Sequence, residues 1–135
     1  MCNEKFAPII RFAVMSDIHL KDEPSAESER FKKGIADAYK IARNGETYKK
    51  LDALVLDGDI ATSGSEAQMQ MAKEIIDNGL DYNETKLIIS VASHEYNHEY
   101  GGVEGALEKL KRIFNAAPDV HEVINGFHFV SASPS

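Results

Sequence analysis

IIRFAVMSDIHL, residues 9–20, decides the fold. Ile9 to Met15 is a short apolar run that stops at a polar Ser16-Asp17, a pattern that suits a buried strand better than a helix. After the loop KDEPSAE, the apolar positions Phe31, Ile35, Ala38, Tyr39 and Ala42 recur at helical spacing, with Gly45 as a stop. Leu51 to Leu56 reads as a second strand and Lys86 to Ala92 as a third. Between them, Ser65-Glu-Ala-Gln68 has the form of a capping box, and Met71, Ile75 and Ile76 carry a second helix up to Gly79. Val103, Ala106, Leu107, Leu110, Ile113 and Phe114 trace a strongly amphipathic third helix.

Asn125-Gly126, between VHEVI and FHFVSA, predicts a two-residue hairpin, because both turn positions need positive φ. The expected architecture is therefore α/β: a mostly parallel sheet with right-handed crossovers, flanked by helices, and closed by a C-terminal antiparallel hairpin. No repeat, linker or low-complexity segment divides the chain, so residues 1–135 read as one domain.

A formal charge of −7 argues against a nucleic-acid partner, whose phosphates are bound by clustered Lys and Arg. A small phosphorylated substrate stays open, since metal ions held by carboxylates reverse the local field. The only cysteine, Cys2, excludes an internal disulfide, and a reducing compartment follows as the simpler expectation. The opening MCNEKFAPIIRF lacks the apolar stretch of a signal peptide, and no run approaches the ~20 residues that span a bilayer. A soluble, cytoplasmic protein is expected, with no membrane partner.

In open α/β sheets, ligands bind beyond the carboxyl ends of the strands. All three exits here are polar: Ser16-Asp17-Ile18-His19, Asp57-Gly58-Asp59 and Ser93-His94-Glu95. Singly, an aspartate at a strand exit is a turn or cap residue more often than a ligand. Three such exits on one edge reverse that reading. Asp17 and His19, two apart, share a side if the strand geometry persists, and Asp59 completes the set from the next strand. Gly58 lets the backbone approach a shared ion closely.

FAVMSDIHL and LVLDGDIA resemble the Asp-x-His and Gly-Asp blocks of the calcineurin-like metallophosphoesterases, and LIISVASHEY stands in the place of their third block, Gly-Asn-His-Asp/Glu. The resemblance covers essentially the whole chain and implies half of that family's α-β-β-α sandwich. It implies hydrolysis of phosphate esters by a metal-activated water, using divalent ions such as Mn, Fe or Zn. Asp17 and His19 would hold the first metal, Asp59 would bridge to a second, Ser93 would stand in the place of the family's asparagine ligand, and His94 would act catalytically beside the leaving group. Asp57 and Glu95 would play supporting or structural parts.

Two departures shape the expectation. Ser93 and Ala92 replace asparagine and glycine, and the family's later Gly-His-x-His is missing before Ser135. His121 and His128 do not fit that pattern and read as solvent-facing or packing residues. The expectation is a truncated or degenerate member with at most one weakly bound metal and low activity, whose uncovered apolar surface favours self-association. Two alternatives stay open: an inert binding or structural module of the same fold, and a zinc protease, since His94-Glu95-Tyr96-Asn97-His98 fits H-E-x-x-H with Glu108 or Glu122 as third ligand.

Overall fold

The computed structural model describes residues 7–133, so Cys2 lies outside the described residues. The elements follow the expected order: β1 (Phe12–Met15), α1 (Ala26–Arg43), β2 (Ala53–Asp57), α2 (Glu66–Gly79), β3 (Lys86–Ser90), α3 (Gly102–Phe114), β4 (Val120–Ile124) and β5 (Phe127–Ser131). β1, β2 and β3 form a parallel sheet in that spatial order, and β4 pairs with β5 in a separate antiparallel hairpin. The strands are shorter than their apolar runs, because Ile9 to Arg11 and Leu51 to Asp52 precede the first paired rung, Phe12 with Ala53.

Strand parity sorts the side chains onto two faces. The rungs Ala13–Leu54–Leu87 and Met15–Leu56–Ile89 belong to the main core, which also takes Phe31 and Ile35 of α1, Met69, Ala72 and Ile76 of α2, and Ala106 and Leu110 of α3. The alternate rungs, Phe12–Ala53–Lys86 and Val14–Val55–Ile88, look the other way, toward the hairpin. There Ala53, Ile88 and Ile124 form a small second core, and Phe12 meets Phe129 edge to face at 5.1 Å. The hairpin covers this face only in part, leaving Phe12 and Val14 about half exposed, at 48% and 57%.

The hairpin turn sits at the amino ends of the strands. Asn125 (φ 51°) and Gly126 (φ 82°) both have positive φ, as the two-residue turn requires. The Asn125 Nδ2 amide donates to the Ile9 carbonyl at 2.9 Å and to the Tyr48 hydroxyl at 3.1 Å. Buried Asp52 gathers the same region, accepting from the Arg11 N–H at 2.8 Å and the Tyr48 hydroxyl at 2.6 Å.

The helix starts depart from expectation in one respect. At α2, Ser65 accepts from the Gln68 N–H at 3.3 Å, but the Gln68 side chain does not close the box. Its Oε1 instead accepts from the Ser63 and Gly64 N–H groups, at 2.9 and 3.1 Å, and so orders the loop that leads into the helix. The reciprocal capping box belongs to α1, between Ser25 and Ser28. No helix among the described residues is long and apolar enough to cross a membrane.

A two-pronged ion pair ties the start of α2 to α3: Arg112 Nη1 and Nη2 donate to Glu66 Oε1 and Oε2 at 2.9 and 2.7 Å. These bonds first, and one from Gln70 second, hold the Glu66 carboxyl at about 2 rather than its ordinary 4.5. A depressed carboxyl contributes stability that is fully present above its unfolded value and is lost as pH falls through the folded one. Arg112→Met should therefore flatten the decline of unfolding free energy between pH 4.5 and about 2. Urea midpoints across that range measure it, at low salt because both side chains are half exposed.

Candidate metal centre

β1 and β2 stay bound to each other after their strands end. The N–H groups of Asp17, His19 and Leu20 donate to the carbonyls of Gly58, Asp59 and Ile60 at 3.4, 3.1 and 2.8 Å, and Leu20 bridges Ala61 in parallel. This continuation is not extended. Asp17, His19 and Asp59 have φ of 53°, 53° and 49°, so the strand-like spacing expected to aim Asp17 and His19 alike does not persist. Each left-handed residue costs on the order of 1–3 kcal/mol, and aspartate and histidine are among the few side chains that tolerate it. Among the described residues the other two non-glycine positive φ angles belong to Asn115, which caps α3, and Asn125 in the hairpin turn.

The β2 and β3 exits are held together by Glu95, which is 0% exposed. Its Oε1 accepts from the Ala61 N–H at 2.8 Å, and its Oε2 from the Asp59 and Ala92 N–H groups at 3.0 and 2.8 Å. Burial above all, and the charge of Asp59, push the Glu95 carboxyl upward, while the three backbone donors pull it back. Gly58, with φ 72°, lies against Ala92 so tightly that a Cβ there would sit 2.3 Å from the Ala92 methyl. Its lack of a side chain thus serves the approach of two strand exits.

This scaffold brings three side chains together. One ligand atom each from His19, Asp59 and His94 lie within 4.8 Å of one another, a grouping that could hold a cation. The two imidazoles meet edge to face with centroids 4.4 Å apart. His94 Nδ1 lies 2.8 Å from the Thr62 carbonyl, which only accepts, so that nitrogen carries the proton and Nε2 keeps the lone pair a metal needs. Asp59 Oδ1 accepts from the His94 N–H at 3.0 Å and from the Ser93 hydroxyl at 3.4 Å.

The other expected ligands stand at the margin. Asp17 lies outside the group of three, with Oδ1 3.9 Å from His19 Nε2, a side chain 68% exposed, and Oδ2 accepting from the Ser16 hydroxyl at 2.6 Å. Ser93 spends its hydroxyl on Asp59. His94, expected beside a leaving group, lies within the group of three. Asp57 falls on the hairpin-facing parity of β2 and accepts from the Ser90 hydroxyl at 3.3 Å.

The protease pattern lacks its helix. His94 lies in a turn, and only His98–Tyr100 forms a single 3₁₀ turn. Glu95, which would have to activate water, is buried and committed to three backbone donors.

A glutamine at position 95 has one acceptor oxygen, so at least one of those buried N–H groups would face an amide NH2. Glu95→Gln should cost about 1–3 kcal/mol of unfolding free energy, measured by urea titration. A variant as stable as the natural chain would show that the carboxylate does not hold the exits together. No family model and no curated protein matches this chain, so the functional reading rests on the geometry of the site itself.

Proposed function

We propose that this chain is a metal-dependent hydrolase of phosphate esters that uses one divalent ion and has low activity on its own. The observation that carries the reading is the convergence of His19, Asp59 and His94 at the carboxyl end of a parallel sheet. Two imidazoles and a carboxylate suit Mn, Fe or Zn. A bound ion would supply Lewis acidity, lowering the pKa of water and neutralising charge on the phosphate.

The chain's own residues supply placement. A cleft of about 400 Å³ opens beside the site, with Asp17 and His19 on one side and Glu27, Arg30 and Phe31 of α1 on the other. The Arg30 guanidinium offers a planar fork for phosphate oxygens, and Phe31 with Met15 gives the cleft an apolar wall for the rest of a small ester. Asp17, bordering the same cleft and exposed, would accept a proton from an attacking water. A reducing, cytoplasmic setting completes the proposal.

Hydrolysis of a generic aryl phosphate with added manganese tests it. Asp59→Asn and His94→Ala should each lower kcat/KM at least about tenfold, since each removes a ligand. Equal rates in all three proteins would leave an inert binding module of the same fold. Arg30→Ala should raise KM by up to about tenfold while kcat holds, as expected for a group that binds the ground state and the transition state alike.

A further inference from the structure

We propose that the hairpin carries a second metal site, separate from the strand exits, in which His121 and His128 chelate a borderline transition ion such as Ni²⁺, Cu²⁺ or Zn²⁺. In the β4–β5 register His121 stands opposite Val130 and Val123 opposite His128, so the two histidines are diagonal neighbours on one face. That face points to solvent. Both histidines are exposed, whereas Ile124 and Phe129 pack toward the sheet from the other side.

The two rings stack with centroids 4.9 Å apart and planes 24° from parallel, and His121 Nε2 lies 2.7 Å from His128 Nδ1. Two metal–nitrogen bonds of about 2.0–2.1 Å meeting at roughly a right angle place their nitrogens about 2.9 Å apart. The pair is therefore already near chelating separation. Seating an ion requires rotation of the rings and a tautomer shift of the shared proton to the far nitrogen of its own ring.

The strands beneath are fixed by the Asn125–Gly126 turn and its bond to the Ile9 carbonyl, so little chain entropy opposes binding. The site offers nitrogen alone. Glu122 lies on the opposite parity, and Asp119 Oδ1 is engaged by the Ser133 N–H at 2.9 Å. An all-imidazole pair selects against magnesium and calcium, which require oxygen ligands, and leaves the remaining coordination positions to water.

Calorimetric titration with Ni²⁺ alone tests the site, in the chain carrying Asp59→Asn and His94→Ala so that the strand-exit centre is disabled. One Ni²⁺ per chain should still bind, and the event should vanish when His121→Ala or His128→Gln is added, with the far-ultraviolet circular dichroism unchanged. Both positions are exposed, so neither substitution removes core packing. Nickel binding that survives loss of either histidine, or its absence from the Asp59→Asn, His94→Ala chain, would overturn the proposal without bearing on hydrolysis at the other site.

Discussion

The site depends on one buried carboxylate. Loops ordinarily stay at the surface because their backbone donors need water, and a loop drawn into the interior must find an internal acceptor for each. Here the exits of β2 and β3 turn inward, and Glu95 takes the N–H groups of Asp59, Ala61 and Ala92 at once. Burying a carboxylate is costly, and desolvation raises its pKa accordingly. The alternative is three unsatisfied donors between strands packed closely enough for Gly58 to touch Ala92. The carboxylate wins because it is the smallest group that accepts on both oxygens, and its neighbour His94 is carried into place with it.

Backbone strain carries the same logic to the first strand. Asp17 and His19 leave the sheet in left-handed conformations, held there by hydrogen bonds to Gly58 and Asp59 and by the Thr62 hydroxyl on the His19 carbonyl. Strain of this kind persists where the surroundings over-determine it, and it collects at sites whose geometry matters more than their stability. That three of the strained residues are the polar ones at strand exits is hard to reconcile with ordinary turns. Turns have cheaper solutions, as the hairpin shows by placing Asn and Gly at its own positive φ positions.

Most of the fold was legible because its signals are local. Apolar runs of strand length, helical periodicity and Asn125-Gly126 each specify an element without reference to the rest of the chain. The three polar exits were legible for the same reason, and so was a structural part for Glu95. What escaped depends on direction. The positive φ at Asp17 and His19 broke the assumed strand-like alignment, moving Asp17 to the margin, and nothing in SDIH announces it. The place of His94 beside His19 and Asp59 depends on the Thr62 carbonyl that its ring meets, a contact between residues 32 apart. Asp57 was decidable in principle, since its parity with Ala53 and Val55 assigns it to the hairpin face. The contact of His121 with His128 appears only once the hairpin register is known, because they are diagonal rather than opposite.

The sheet topology also bears on how strong such a centre is. β1, β2 and β3 lie in sequential order, so the described sheet has no reversal of strand order to open a crevice at its carboxyl end. The hollow is made by loops alone, and its donors are correspondingly wet: Asp17, Ser93 and His94 are exposed, and His19 and Asp59 only half-buried. Exposure keeps the local dielectric high, which weakens the hold of a carboxylate on a cation and the hold of a cation on a developing negative charge. A cage that water enters freely would gather a metal without confining it. On the reading proposed above, low affinity and slow turnover would follow from the openness of the site itself, before any second set of ligands is considered.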